Sequence, residues 1–223
     1  MASLRCILYK VPVPFAFTCQ ALVLRTYDTG EADRFCILLT RERGRLAVRA
    51  SGARRLGSRL GGYLLPFSHL QLGLKEGNSG CYVSSAVPTD PRIPSLARPA
   101  VLACAQEGIE VLLSLVSHEE PDPALFDATL RFLVTCGSSA SAVALPYIIR
   151  LLDILGFLPE QESLRSVMAL SEEEEKYVGR ARREEDVTSL DRRSRMRVRE
   201  LCQRLMEDHL STALRVPSVA AGL

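Results

Sequence analysis

Arginines dominate the residues between Arg34 and Phe67 that could take part in chemistry. This stretch holds eight arginines and a single acidic residue, Glu42. Concentrated charge of one sign costs self-repulsion, and the usual compensation is attraction to a polyanion. Solubilising surfaces normally mix both signs, whereas guanidinium groups suit the oxygens of phosphate. The sequence therefore predicts nucleic-acid binding. The predicted phosphate contacts are Arg34, Arg41, Arg43, Arg45, Arg49, Arg54, Arg55 and Arg59.

Three aromatic residues lie among or beside these arginines and could stack on a base. They are Phe35, Tyr63 and Phe67. For Phe35 and Phe67 the pattern favours a place in a hydrophobic core instead. Tyr63 is equally consistent with core packing and with base stacking, which is the usual aromatic contact to single strands.

The arginines fall on a predicted hairpin and on the loop that follows it. Residues 34–39 and 45–51 alternate apolar and polar side chains, as half-buried strands do, and a turn at Arg43-Gly44 separates them. After Gly52 the alternation stops, and a loop rich in arginine and glycine is predicted through Gly62. A strand pair with an adjoining glycine-bearing loop lets the backbone approach a nucleic-acid strand closely.

Three further strands are predicted around this hairpin. They are Cys19–Tyr27, Phe67–Lys75 and Cys81–Val87, with Leu70, Leu72 and Leu74 on one face of the second. Five short strands within about seventy residues, carrying a basic loop, fit a small barrel of the oligonucleotide-binding (OB) type.

A proline-rich segment separates the predicted barrel from a predicted helical domain. The apolar period changes after this segment from about two to about 3.6 residues. It predicts helices over residues 100–117, 124–136, 142–155 and about 191–214, with Leu125, Thr129, Phe132 and Leu133 as the inner stripe of the second. Ser171–Glu174 resembles a capping box that begins a further short, polar helix. We predict an α+β protein, with strands first and helices second. Its expected parts are an N-terminal extension at 1–18, an OB-fold domain at 19–87, a linker at 88–99 and an α-helical domain at 100–223.

The helical domain contains one candidate binding site, at Arg150–Phe157. The plain interpretation is a core helix ended by a glycine. The alternative is an apolar groove with a basic rim, which would suit an acidic, hydrophobic peptide. The groove residues in that interpretation are Arg150, Leu151, Leu155 and Phe157.

Charge also differs between the two parts. Residues 1–90 carry 12 basic and 6 acidic side chains, whereas the remainder carries 16 basic and 20 acidic ones. A basic module joined to an acidic one predicts two modules with different partners.

Catalytic and metal-binding motifs are missing from the sequence. The glycines of the arginine-rich loop lack P-loop spacing, and no nucleophile elbow, HExxH motif or convincing carboxylate pair occurs. Seven scattered cysteines form no CxxC pair, which favours reduced structural thiols and no zinc. No stretch reaches the roughly 18 apolar residues of a membrane span. We therefore expect a cytoplasmic protein without enzymatic activity, cofactor, metal or membrane contact.

The order of motifs resembles the RecO family, the bacterial recombination mediators. The resemblance rests on Gly30–Asp33, on Leu39–Arg45, on Gly52–Arg55 with Ser58–Leu60, on Leu65–Phe67, and on the Arg-Leu-Leu…Leu-Gly-Phe…Pro pattern of Arg150–Pro159. It covers about residues 21–210.

This resemblance implies an N-terminal OB barrel, an α-helical domain and binding of single- and double-stranded DNA. It further implies annealing of complementary strands and, with RecR, loading of RecA onto strands coated by single-stranded DNA-binding protein. The helical domain would receive the acidic C-terminal tail of that coating protein. Such a protein would work in the bacterial cytoplasm, at the nucleoid.

This sequence departs from the family pattern after Pro159. Many family members carry four zinc-binding cysteines there, whereas no cysteine follows here until Cys202. Two other functions fit the residues without the resemblance: an OB-fold RNA-binding protein, since phosphate contacts do not distinguish RNA from DNA, and a non-enzymatic adaptor whose basic barrel meets an acidic protein.

Overall fold

The fold is described from a computed structural model. The structure describes residues 16–77, 80–89, 98–117, 120–138, 143–160, 163–185 and 190–215. The chain divides into two compact units. The described residues up to Leu38 and those from Leu46 to Thr89 form the first unit, and Leu39–Arg45 groups with the described residues from Arg98 onward in the second.

Five strands form a closed barrel in the order β1-β2-β3-β5-β4. Their bounds are β1 Ala16–Thr29, β2 Asp33–Thr40, β3 Gly44–Ala50, β4 His69–Gly77 and β5 Gly80–Pro88. Strand β4 pairs antiparallel with β1 and with β5, and β3 pairs parallel with β5. A short helix, α1 (Arg59–Tyr63), connects β3 to β4. This topology is the OB fold, so the predicted barrel is confirmed.

The barrel core follows the alternation of the strands. Leu70, Leu72 and Leu74 are buried on one face of β4, as the sequence predicts, and a bulge between Gly73 and Leu74 shifts the register against β5. Leu46 and Val48 point into the same core from β3. These side chains account for the closure of the barrel, because each strand contributes an apolar inner face.

The structure corrects two details of the predicted barrel. On β2 the inward face is that of Cys36 and Leu38, whereas Phe35 is half-buried and lies outside the buried core. The loop expected through Gly62 ends earlier, because helix α1 begins at Arg59, and its fully buried C-cap Leu64 joins the core.

Strand β1 begins at Ala16, so three residues assigned to the N-terminal extension belong to the barrel. The rest of that extension, and residues 90–97 of the predicted linker, lie outside the described residues. Pro88 ends β5, and Pro99 is the first residue of the following helix.

The second unit consists of helices together with the turn Leu39–Arg45. The helices are α2 Pro99–Leu115, α3 Pro123–Ser138, α4 Leu145–Ile154, α5 Leu164–Met168, α6 Glu172–Arg182 and α7 Arg192–Arg215. Helices α2, α3, α4 and α7 correspond to predicted ones, whereas α5 was not predicted. Among the described residues, no helix combines the length and apolarity needed to cross a bilayer.

The core of this unit lies between α2, α3 and α4. The predicted inner stripe of α3 is confirmed, because Leu125, Thr129, Phe132 and Leu133 are all buried. The ring of Phe132 stacks on that of Tyr147 with centroids 4.2 Å apart, and the hydroxyl groups of Tyr147 and Thr129 are 3.0 Å apart. The buried polar pair is thus satisfied within the core.

Helix α6 begins with the predicted capping box. Ser171 Oγ accepts a hydrogen bond from the amide of Glu174, and Glu174 Oε2 accepts one from the amide of Ser171 at 2.8 Å. The Glu174 side chain is fully buried, and its Oε1 lies 3.4 Å from Nη1 of Arg197 on α7. Arg197 therefore supplies the charge partner of a buried carboxylate.

Candidate nucleic-acid interface

The candidate interface of the barrel consists of the basic loop, defined here as residues 51–58, and helix α1. Backbone hydrogen bonds within the loop give it a fixed shape: Arg55 N donates to Gly52 O at 3.1 Å, and Ser58 N donates to Arg55 O at 3.0 Å. Ala53 is buried in the barrel core and anchors the loop from below. The loop is therefore built into the barrel rather than hanging from it.

Two acids on either side of the β1–β2 turn, Asp28 on β1 and Asp33 at the start of β2, hold the loop and its neighbours in place. Asp33 Oδ1 accepts a hydrogen bond from the amide of Gly52 at 2.9 Å, and its Oδ2 lies 3.7 Å from Arg49 Nε. Asp28 lies 3.4 Å from the Nε of Arg34 and 3.4 Å from that of Arg54. The structure thus brings two acids into the arginine cluster.

Arg34 has a largely structural set of contacts. Its Nη1 donates to the carbonyl oxygens of Gly61 at 3.1 Å and Leu64 at 3.0 Å. These bonds satisfy carbonyls in and just after helix α1, and the Arg34 side chain is mostly buried. Arg34 therefore positions α1, and little of its guanidinium remains for a phosphate.

Arg49 and Arg54 have partners but stay accessible. The Arg54 guanidinium donates to the carbonyl of Gly30 at 3.1 Å, and both arginines sit beside a carboxylate. Exposed ion pairs of this kind are weak, typically under about 1 kcal/mol. A phosphate could therefore displace the acids at small cost.

Arg55 and Arg59 are the most available arginines of the cluster. Both side chains are exposed, and neither forms a hydrogen bond or ion pair with the residues that the structure describes. They sit four positions apart, on the basic loop and at the first residue of α1. An exposed guanidinium without a carboxylate partner can donate hydrogen bonds to a phosphate without first breaking an existing ion pair.

Arg41 and Arg45 belong to the second unit and have partners there. Arg41 forms an ion pair with Asp127 of α3 and lies over the ring of Phe126, with 6.0 Å between the guanidinium carbon and the centroid. Arg45 donates to the carbonyl oxygens of Leu113, at 3.3 Å, and Val116. The last carbonyls of a helix attract a cation. These two arginines therefore support the fold, and the phosphate contacts predicted for them would compete with existing contacts.

The turn that carries these two arginines tolerates little change. Gly44 has a φ of 64°, and a β-carbon there would lie 2.2 Å from the carbonyl oxygen of Glu120. Thr40 Oγ1 closes the turn by donating to the Gly44 carbonyl at 2.8 Å and accepting from the Arg43 amide at 3.1 Å. Arg43 is half-buried in this turn. Its predicted phosphate contact stays a prediction.

Tyr63 packs partly buried against the barrel core. Its predicted role in stacking stays a prediction, and the packing interpretation has direct support. Tyr27 was not predicted as a candidate. It is an aromatic side chain of β1 with 47% exposure, and its hydroxyl group accepts a hydrogen bond from Arg25 at 3.3 Å. Its place at the end of an alternating run, beside a polar turn, was the available signal.

The residues predicted to line a peptide groove in the second unit do not all lie on the surface. Leu151 is fully buried and belongs to the helical core, so it is not on the surface. Arg150 donates to Asp153 Oδ2 at 2.9 Å and to Glu184 Oε1 at 3.1 Å. Leu155 and Phe157 are half-buried, and the Phe157 ring lies 3.8 Å from that of His209. A peptide site near these last residues stays a prediction.

No group of three or more potential metal-ligating side chains comes together in the part of the chain that the structure describes.

The barrel topology, with a helix between β3 and β4 and a basic loop leading into it, defines an OB-fold module.

The comparisons with known proteins identify the family. Residues 15–92 match the family model for the N-terminal domain of recombination protein O, and residues 97–166 match the model for its C-terminal domain. The chain belongs to the RecO family, as its motifs predict.

Similar curated proteins include three named DNA repair protein RecO. The protein from Nocardioides sp. is 33% identical over 159 residues, which cover 69% of this chain and 65% of that protein. The Heliobacterium modesticaldum protein is 36% identical over 65% of this chain and 53% of its own length, and the Syntrophobacter fumaroxidans protein is 34% identical over 65% and 58%. The chain thus aligns with less than two thirds of the length of these relatives.

Proposed function

We propose that this chain is a non-catalytic DNA repair and recombination mediator that binds single- and double-stranded DNA and promotes annealing of complementary strands. Its relatives are named DNA repair proteins, and its first unit is an OB barrel with a basic loop. The observation that carries the proposal is the pair Arg55 and Arg59, exposed and without a carboxylate partner among the described residues.

The proposed mechanism is electrostatic. Arg55 and Arg59 bind phosphates first, while Arg49 and Arg54 exchange their exposed carboxylate partners for phosphate oxygens. Counterions leave the DNA backbone, so binding weakens as salt rises. Once the charge on two strands is reduced, they approach each other and base pairing completes the annealing. No covalent step is required.

Annealing of complementary oligonucleotides tests this proposal. The purified chain is expected to accelerate annealing at low salt, and the double variant Arg55→Ala/Arg59→Ala is expected to lose most of that acceleration. Lys75→Ala is the matched control, because the Lys75 side chain is exposed on β4 and forms no hydrogen bond or ion pair with the described residues. Equal annealing by the double variant and by wild type would contradict the proposed interface.

Two other interpretations predict different outcomes. An RNA-binding protein would favour RNA when matched single strands of RNA and DNA compete for the chain. An adaptor for an acidic protein would bind neither and would not anneal strands. Competition by matched RNA and DNA therefore separates the three.

We also propose the partners that the family resemblance implies. The helical unit would receive the acidic C-terminal tail of single-stranded DNA-binding protein near Arg150, Leu155 and Phe157, and RecR would join the chain in loading RecA at the nucleoid. The support is the basic and half-buried apolar character of these positions. Titration with a synthetic acidic tail peptide, using Phe157→Ala as the variant and Met196→Ala as the control, tests the first of these.

A further inference from the structure

The basic loop carries a leucine whose side chain is completely exposed. Leu56 has a relative exposure of 105%, the highest among the exposed large hydrophobic residues of the described chain. It directly follows Arg54 and Arg55, and Gly57 and Ser58 separate it from Arg59. A single exposed leucine is common on protein surfaces. Two features of its surroundings distinguish this one.

The first feature is that the exposure does not come from a loose loop. Before Leu56 in the chain, Arg54 N donates to Ala32 O at 2.9 Å; after it, Ser58 N donates to Arg55 O at 3.0 Å. Buried Ala53 fixes the loop to the barrel core. Gly57 has a φ of 82°, a conformation that favours glycine, and this turns the chain directly after Leu56. The loop thus holds an apolar side chain in water at a defined position.

The second feature is the charge around it. The nearest arginines in sequence, Arg54, Arg55 and Arg59, are exposed and of one sign, and two of them have no side-chain partner among the described residues. A hydrophobic protein partner would have to place its apolar surface among these charges. A nucleic-acid strand offers contacts to the arginines and to Leu56 at once, because phosphates alternate with apolar base faces along the strand.

We propose that Leu56 is a base-contacting residue, which rests against or inserts between the bases of a DNA strand whose phosphates the neighbouring arginines hold. Leucine is among the apolar side chains that proteins insert between base steps. This inference rests on the proposed function and adds a base contact to it. In an annealing protein, such a contact would keep bases unstacked and open to a complementary strand.

The base contact and the phosphate contacts leave different signatures in a binding experiment. Affinity is measured for a single-stranded oligonucleotide of mixed sequence and for a backbone of the same length without bases, each across a salt series. Leu56→Ala is expected to weaken binding to the first strand about 5-fold, to leave binding to the baseless strand unchanged and to keep the salt dependence of wild type. Leu56→Phe is expected to bind the base-containing strand more tightly than wild type.

Val87→Ala is the matched control, because Val87 is an exposed apolar residue of the same barrel, on β5. It is expected to bind both strands as wild type does. Since the Leu56 side chain is fully exposed, its truncation leaves the fold intact, and thermal unfolding of the variant checks this.

Three outcomes overturn the inference. If wild type binds neither the oligonucleotide nor the baseless strand, the proposed function fails and the inference fails with it. If wild type binds with the expected salt dependence but Leu56→Ala binds equally well, only the inference fails, and Leu56 is left for a protein partner. If Leu56→Ala weakens binding to both strands alike, the residue shapes the loop and does not contact bases.

Discussion

Asp33 Oδ1 accepts a hydrogen bond from the backbone amide of Gly52 at 2.9 Å, and this bond joins the first residue of β2 to the basic loop. The same carboxylate lies 3.7 Å from Arg49 Nε. An acid inside a phosphate-binding cluster would normally oppose binding by its charge. Here it also fixes the loop that presents Arg55 and Leu56, so its structural effect and its electrostatic effect have opposite signs.

Asp33→Ala separates these two effects. If charge alone mattered, removal of an acid would strengthen DNA binding. Because the loop would lose its anchor, we expect binding to weaken about 3-fold and the free energy of unfolding to fall by about 1–2 kcal/mol. Oligonucleotide titration and urea denaturation measure the two quantities.

Asp33→Asn and Glu31→Ala are the controls for this variant. The asparagine keeps an oxygen acceptor for the Gly52 amide and removes the charge, so its DNA affinity should equal or exceed that of wild type. Glu31 is exposed and forms no hydrogen bond or ion pair with the described residues, so its removal should raise affinity slightly. Stronger binding by Asp33→Ala than by Asp33→Asn would refute the anchoring role.

Arg41→Ala tests whether the arginines of the turn Leu39–Arg45 act in folding. Its ion pair with Asp127 is partly exposed, with side-chain exposures of 41% and 34%. Its loss should therefore lower the free energy of unfolding by only about 0.5–1 kcal/mol. The salt dependence of DNA binding should stay that of wild type. A flatter salt dependence of the variant would show that Arg41 does contact phosphate.

Arg197→Ala should destabilise the second unit more strongly. Glu174 is fully buried, and Arg197 Nη1 is 3.4 Å from its Oε1. Removal of the cation leaves a buried carboxylate without its charge partner, which we expect to cost about 1–3 kcal/mol. Arg193→Ala is the matched control on the same helix, because the Arg193 side chain is exposed and forms no hydrogen bond or ion pair with the described residues; only its backbone amide bonds to Asp191. Equal stability of the two variants would show that the pair contributes nothing.

Because the Cys36 thiol is buried, we expect the barrel to lose stability at alkaline pH. Burial raises the pKa of its thiol to about 11 from the model-compound value of 9.0, and Arg34 opposes part of that rise. The folded state thus favours the neutral thiol. Its contribution is fully present below pH 9 and is lost as the pH rises from about 9 towards 11.

Denaturation at several alkaline pH values measures this contribution. Wild type should lose stability over that window, and Cys36→Ala should lose less over the same window, although it starts from a lower value because a buried side chain has been truncated. A parallel decline of the two proteins would show that Cys36 does not titrate as its burial implies.

The fold was largely predictable because its signals are local. Leu70, Leu72 and Leu74 alternate on a strand, and Leu125, Thr129, Phe132 and Leu133 recur at helical spacing, so periodicity alone assigned their burial. On β2 both faces carry apolar residues. The alternation therefore could not tell that Cys36 and Leu38, rather than Phe35, point inward.

The candidate site was less predictable, because partners depend on tertiary contacts. Asp28 and Asp33 precede the arginine-rich stretch in sequence, and only the barrel brings them against Arg34, Arg49 and Arg54. Arg41 and Asp127 are 86 residues apart in the chain. The number of arginines led to the hypothesis of a polyanion partner, but it could not show which arginines are available to contact that partner. Arg55, Arg59 and Leu56 stand out only once exposure and partners are known.

The salt dependence of oligonucleotide affinity tests the central claim most directly. For single strands, each phosphate contact contributes about 0.7 to the slope of log affinity against log salt. The variant Arg55→Ala/Arg59→Ala should bind all sequences more weakly, with a slope about 1.4 less steep than that of wild type, whereas Lys75→Ala should keep the wild-type slope. Identical slopes for the double variant and wild type would contradict the account.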